Sequence, residues 1–184
     1  FGSQRVWKSV NRGDSWTPIS GDLTTNTNPF ELPIQDRVPG IDALYDNGAM
    51  SKFATLTAIA ESPVQAGMLY TGSDDGLLHV SEDDGQSWTQ AADLPGMPPL
   101  SFINDIEASL HDAQTVFVAA DAHKEGDYTS YIYRSTNRGK SWKNISGDLP
   151  DGVIVWSIKQ DPVRSDLPFI GAANGMYFSY NTGE

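Results

Sequence analysis

The carboxylates and the three histidines of this 184-residue sequence, His79, His111 and His123, are side chains that could do acid–base chemistry. Two carboxylates about 5–9.5 Å apart across a cleft can hydrolyse a glycosidic bond. His123 lies close in sequence to both Asp121 and Asp127, which is compatible with an acid–base or ligand cluster and equally with an exposed polar loop. The carboxylates available for a catalytic pair are Asp42, Asp46, Asp74, Asp75, Asp105 and Asp121. Which of them meet depends on the elements that carry them.

The segment Asp74-Asp75-Gly76 has two interpretations. Asp-Gly and Asn-Gly pairs are typical of tight hairpin turns, and Asn174-Gly175 occupies the matching place in a later unit. The turn is the favoured interpretation. The alternative makes Asp74 or Asp75 a catalytic carboxylate or a metal ligand.

Composition excludes several classes of function. The net charge of −12 disfavours nucleic acid and anionic membranes as partners. There is no cysteine, so disulfides, thiol nucleophiles and cysteine-ligated zinc are excluded. No apolar run approaches the roughly 20 residues of a membrane span, so no membrane insertion is expected. We expect no cofactor or metal; the acidic composition is compatible with Ca²⁺, but a solvated acidic surface explains it better.

A short motif, Ser-x-Asp/Asn-x-Gly-x-Ser-Trp, recurs along the chain and organises it. Its members are Ser9, Asn11, Gly13 and Trp16; Ser81, Asp83, Gly85 and Trp88; Ser135, Asn137, Gly139 and Trp142; and Ser179, Asn181 and Gly183. An Asp or Asn side chain that caps backbone N–H groups, followed by a glycine with positive φ, is turn chemistry. Strand-like residues flank each copy, so the motif is predicted to be a hairpin turn with a structural role.

Two further strand patterns precede each later copy of the motif, so each unit reads as four strands, A to D, with the motif joining C to D. Residues 54–91 and 101–146 form complete units, and 5–20 and 153–184 form partial ones. Gly139 and Gly183 are separated by about the 40–50 residues of a propeller blade. The sequence therefore predicts an all-β, partial β-propeller of three to four blades, expected to be a fragment of a longer chain.

The motif resembles the Asp-box, or bacterial neuraminidase, repeat of sialidases, xyloglucanases, sortilin-type ectodomains and photosystem II assembly factors. The segments 58–63, 71–80 and 131–136 are most similar to bacterial, predicted-secreted proteins described as sortilin-like or glycosyl-hydrolase-like. The resemblance covers nearly the whole chain and implies a propeller with its boxes on the rim remote from the ligand. It also implies a secreted or periplasmic, bacterial protein. It does not choose between binder and enzyme, because one fold serves both.

Two long loops mark the predicted ligand face, the end that carries the D–A and B–C connections. Loops of this length are usually functional or disordered. Both a binding role and a solvent-exposed loop with no binding role therefore stay open. The first loop, 22–53, contains Tyr45 and Asn47 beside Asp42 and Asp46. The second, 121–128, carries His123, Lys124, Asp127 and Tyr128. Trp156, at the start of an A strand, could stack on a sugar or pack in the core.

Two functions follow from these features. The first is a non-enzymatic binding or scaffolding module of a larger sortilin-like protein, with a protein, peptide or carbohydrate ligand on the long-loop face. The second is a glycoside hydrolase, xyloglucanase-like rather than sialidase. Sialidases bind the substrate carboxylate with three arginines, and only Arg37 and Arg164 lie outside the boxes and their preceding strands. The remaining blades of the parent chain, or a second copy, are the other expected partners.

Overall fold

The computed structural model describes residues 3–33, 37–38, 40 and 53–183. Thirteen strands lie in this part of the chain, together with two short 3₁₀ helices, Pro29–Glu31 and His123–Glu125. The strands are β1 (Trp7–Lys8), β2 (Thr17–Pro18), β3 (Leu56–Glu61), β4 (Leu69–Ser73), β5 (Leu78–Ser81), β6 (Thr89–Gln90), β7 (Phe102–Ala108), β8 (Val116–Ala122), β9 (Asp127–Ser135), β10 (Lys143–Asn144), β11 (Val155–Gln160), β12 (Pro168–Ala172) and β13 (Gly175–Phe178).

The strands form four antiparallel sheets, each a simple meander. Unit I is β1-β2, blade II is β3-β4-β5-β6, blade III is β7-β8-β9-β10 and unit IV is β11-β12-β13. The predicted A-B-C-D order is the order observed, and the boxes join the C and D strands where both are present. The prediction of an all-β fold with four-stranded propeller blades is confirmed.

The core lies between the blades. Strand β8 is buried at every position, since a neighbouring sheet covers each of its faces. One apolar cluster, including Tyr70, Val80 and Val118, joins blade II to blade III. A second, including Phe117 and Ile158, joins blade III to unit IV. The blades are thus held side by side by alternate faces of the same strands.

Two elements are shorter than the sequence suggests. The D strands contain two residues each, because only the residues just after the box tryptophan pair with strand C. The loop predicted at 121–128 is a tight connection in which β8 extends to Ala122, which pairs with Asp127. The 3₁₀ turn and Gly126, at φ 80°, close it. Tyr128 therefore lies on a paired strand.

No helix in the described part of the chain is long and apolar enough to cross a membrane.

Candidate functional site

Each box is a closed hydrogen-bonded turn. In the second copy Gly85 N donates to Ser81 Oγ (2.9 Å) and Ser87 N donates to Asp83 Oδ1 (2.8 Å). Asn137 takes the same role in the third copy, accepting from Ser141 N at 2.9 Å. Asn11 does so in the first, and Ser179 accepts from Gly183 N in the fourth. The side-chain oxygen of the Asp or Asn that gives the motif its name is therefore occupied by the turn.

The boxes also join one blade to the next. Trp88 Nε1 donates to Ile19 O of unit I, and Trp142 Nε1 donates to Ala92 O of blade II, both at 2.9 Å. A Cβ on Gly85 would lie 2.6 Å from Ile19 Cδ1, so the glycine permits this close contact. Trp16 instead donates to Gly13 O in its own turn and is 58% exposed. We call the end of the sheets that carries the boxes the box rim.

The opposite end of the sheets, here called the loop face, carries the β4–β5, β8–β9 and β12–β13 connections and the segments between blades. Asp74 is buried there, and both of its carboxylate oxygens accept from Thr55, at 2.8 Å from N and 3.0 Å from Oγ1. Burial raises the pKa of Asp74, while the two bonds from Thr55 lower it. This carboxylate fixes the entry to strand β3.

Asp75 anchors a different segment to the same turn. Its Oδ2 accepts from the backbone N and from Oγ1 of Thr25, both at 2.7 Å, and its Oδ1 accepts from Ser73 Oγ. The side chain is buried. Asp75 thus ties the segment after unit I to blade II.

Asp121, at the end of β8, holds His123. Its Oδ1 accepts from His123 Nδ1 and from the His123 backbone N at 3.1 Å, and its Oδ2 accepts from Asn104 Nδ2 at 2.6 Å. Asn104 also donates to Val155 O at 2.7 Å, across to unit IV. A buried carboxylate that binds one imidazole nitrogen fixes the ring and directs the other nitrogen outward. Asn104 was not predicted, because its strand also contains Asp105 and Glu107 and the sequence does not distinguish this polar residue from them.

Two aromatic contacts complete an exposed patch beside this pair. The His123 ring meets the Trp156 ring edge-on, with centroids 5.5 Å apart. Lys124 Nζ lies 4.7 Å from the centre of the Phe102 ring. Trp156 is 44% exposed and the His123 side chain 31%. These four residues, Phe102, His123, Lys124 and Trp156, are called the Trp156 patch.

The other two predicted residues of the second loop, Asp127 and Tyr128, contact residues outside this patch. Asp127 accepts from Tyr131 OH (2.6 Å) and Thr129 N (2.9 Å), and these bonds lower its pKa. Tyr128 is exposed and lines an open trough of about 410 Å³ between β9 and the 146–152 segment. The structure therefore brings His123 together with Asp121 but not with Asp127.

Asp105 faces a neighbouring strand. Its Oδ2 accepts from Ile158 N at 3.1 Å and lies 3.2 Å from Lys159 Nζ. Lys159 also contacts Glu107 at 2.9 Å. This ion-pair group joins β7 to β11.

The remaining predicted residues, Asp42, Tyr45, Asp46 and Asn47, lie outside the described residues. Within the described part, no group of three or more His, Asp or Glu side chains is arranged to hold a metal ion.

Comparisons with known proteins agree with this architecture. The model of the BNR-Asp box repeat matches residues 132–145. The chain is 29% identical over 98 residues to the vacuolar protein sorting/targeting protein 10 of Laccaria bicolor, which covers 52% of this chain and 6% of that protein. An ancestral GH74 enzyme superposes with a TM-score of 0.64 at 20% identity, over 98% of this chain and 20% of that one. The GH74 xyloglucanase from Xanthomonas campestris gives 0.61 at 16% identity, over 100% and 27%.

The chain therefore spans a small part of each of these relatives, and at such identities the solved structures bear on the fold alone. The family model falls on the third box and the strands beside it, where the Ser-Asn-Gly-Trp turn was predicted. The strand order, the hydrogen bonds of the boxes and the superposition on known propellers all indicate the same fold. The chain consists of Asp-box β-propeller blades.

Proposed function

We propose that this chain is a non-enzymatic ligand-binding module of a larger, sortilin-like secreted or periplasmic bacterial protein. The supporting observation is the state of the carboxylates on the loop face. Asp74, Asp75 and Asp121 are buried, and each uses both oxygens to hold its own protein in place. A hydrolase of the paired-carboxylate type needs one acid that can donate a proton to the substrate and one that faces it. These three carboxylates are structural acceptors.

The exposed groups of the same face are of kinds that are common in ligand-binding sites. Trp156 offers a partly open aromatic surface, and the exposed Lys124 offers an ammonium group. Aromatic rings with a few polar groups are typical of recognition sites for sugars and peptides. The ligand is therefore proposed to contact the Trp156 patch.

Binding and hydrolysis can be separated in one experiment. The protein is incubated with xyloglucan, mixed-linkage β-glucan and sialosides, and in parallel applied to glycan and peptide arrays. We expect array binding that Trp156→Ala abolishes, with no release of shorter sugars. Trp16→Ala is the matched control, because Trp16 is an exposed tryptophan on the box rim.

Release of products would overturn the binding proposal. It would support the glycoside hydrolase instead, and loss of that release in Asp42→Asn or Asp46→Asn would place the acid pair in the 22–53 segment.

A second partner is proposed for unit IV. Met176 and Phe178 are 73% and 56% exposed there, whereas the equivalent Leu78 and Val80 of blade II are 6% and 8% exposed under blade III. Since the same sheet face is covered by the next blade elsewhere in the chain, we propose that another blade of this repeat covers it here. That blade belongs either to the parent chain or to a second copy.

A further inference from the structure

We propose that the Trp156 patch binds a saccharide that carries carboxylate groups, such as a uronic-acid oligomer. This inference rests on the proposed function, because it names the ligand of the same face. It follows from three groups that the patch exposes: an imidazole nitrogen, an ammonium group and an aromatic ring.

The first group is an imidazole nitrogen held in a fixed direction. Because Asp121 accepts from His123 Nδ1, that nitrogen carries a proton, and in the neutral ring Nε2 carries the lone pair. No other described residue bonds to Nε2. Asn104 fixes Asp121 from the other side, so the orientation of the ring is built into the fold. A ligand hydroxyl is a donor that suits this nitrogen.

The second group is a cation held at a defined place. Lys124 Nζ rests over the Phe102 ring, and no described carboxylate lies within ion-pairing distance of it. By contrast, Lys8, Arg138, Lys159 and Arg164 all form ion pairs with acids of the protein. The charge of Lys124 interacts with the buried carboxylate of Asp74 without reaching ion-pairing distance. An exposed ammonium group that forms no ion pair with a described acid, next to His123 in the chain, suits a carboxylate on the ligand.

The third group is the aromatic surface. Trp156 touches the His123 ring at an edge and keeps 44% of its area exposed. The C–H face of a sugar ring packs on such a surface. Hydroxyl, carboxylate and apolar ring face occur together on one uronic-acid residue, whereas an acidic peptide side chain has the carboxylate without the ring.

The net charge of −12 does not prevent this binding. At physiological ionic strength, charges beyond about 8 Å are largely screened. The charges nearest the ligand then decide the sign of the local interaction. Lys124 is exposed in the patch, whereas the neighbouring carboxylates of Asp74 and Asp121 are buried and accept hydrogen bonds from the protein.

The test compares two saccharides with the same sugar backbone, one with charged carboxylates and one with uncharged methyl esters. Oligogalacturonides and their methyl esters are titrated calorimetrically into the protein at 0.15 M salt, with a glutamate oligomer as the peptide probe. We expect the acid form to bind about tenfold or more tightly than the ester. Lys124→Gln and Trp156→Ala should each weaken the acid form by about tenfold, and the ester should be insensitive to Lys124→Gln. Lys140→Gln, an exposed lysine on the box rim, removes the same charge and should have no effect.

Several results would overturn the inference while leaving the binding module intact. They are equal affinity for acid and ester, equal loss in Lys140→Gln and Lys124→Gln, tighter binding of the glutamate oligomer than of the uronic acid, and absence of saccharide binding in a protein that binds array peptides. Cleavage of the oligomers during the titration would instead overturn the proposed function itself.

Discussion

At the residue scale, three buried acidic side chains of the loop face, Asp74, Asp75 and Asp121, stabilise the fold. Asp74 and Asp75 are neighbours in one turn, yet they hold two segments that are distant in sequence, at Thr55 and Thr25. Asp121 holds a histidine that in turn contacts Trp156. Carboxylates that accept several hydrogen bonds are rigid and pre-organise their neighbours, which is the property a binding surface requires.

Removal of the Asp75 carboxylate should loosen the segment after unit I. In Asp75→Ala, the N–H and hydroxyl of Thr25 lose the carboxylate as acceptor, and the Ser73 hydroxyl keeps only Leu77 O. We expect the free energy of unfolding to fall by about 2–3 kcal/mol in urea denaturation. Trypsin should also cleave faster between residues 22 and 53. Asp14→Ala, in the exposed first box, should change neither quantity; an equal loss there would contradict the anchoring role.

His79 should make the protein sensitive to mild acid. Burial lowers its pKa below the ordinary 6.5, an effect that Asp75 partly opposes, and Nδ1 is buried without a hydrogen-bond partner. The unfolded chain therefore binds the proton more readily than the folded chain. The stability contributed by neutral His79 is present above about pH 6.5 and is lost as the pH falls towards the lowered folded-state pKa.

Urea denaturation at several pH values between about 8 and 5 checks this. The free energy of unfolding of His79→Gln should fall less steeply over this range than that of the natural chain, whatever its absolute value. Parallel curves for the two proteins would show that His79 does not titrate on unfolding.

At the element scale, the box acts as a joint between blades as well as a turn. Its glycine and tryptophan contact the residues that follow the D strand of the preceding unit. The box of blade II contacts Ile19 after β2, and the box of blade III contacts Ala91 and Ala92 after β6. A single local motif therefore both closes a hairpin and sets the distance between neighbouring sheets. The equivalent Trp16 shows what the motif does without that neighbour, because its indole turns back to Gly13.

Substitution of two box glycines separates these two roles. Gly13 and Gly85 both have positive φ, 98° and 84°, so alanine strains the turn at either position by about 1–2 kcal/mol. At Gly85 the new methyl group also meets Ile19, whereas at Gly13 its nearest neighbour is Trp16 of the same box, at 3.7 Å. Gly85→Ala should therefore lose roughly 1–3 kcal/mol more than Gly13→Ala in thermal or urea unfolding. Equal losses would mean that the box is only a turn.

The strand order was predictable because it is encoded locally, by a repeated turn between repeated strand patterns. The roles of the loop-face residues were not, because they depend on partners far along the chain. Asp75 and Thr25 are fifty residues apart, and Asn104 reaches Asp121 only after β7 pairs with β8. The short motif Asp-Asp-Gly correctly indicates a turn, but nothing in it indicates which segment the turn holds.

At the scale of the whole molecule, adjacent blades cover each other's apolar faces, and unit IV presents one such face to solvent. Phe178 packs against Phe169 and Tyr180, with ring centroids 6.2 and 5.2 Å apart, while 56% of it is exposed. A contiguous exposed apolar surface of this kind favours association. The residues at the same position in unit I and blade III are Lys8 and Arg134, so the repeat accepts a cation there.

Phe178→Arg should therefore reduce self-association of the chain without loss of stability. Sedimentation velocity over a range of protein concentrations should show a smaller concentration-dependent increase in mass for the variant than for the natural chain, while the thermal midpoint changes little because the side chain is already exposed. Val163→Arg is the matched control, since Val163 is 85% exposed in a turn and gains the same charge. If that control suppresses association equally, net charge explains the effect. A natural chain that stays monomeric at every concentration would leave a further blade of the parent chain as the element that covers this face.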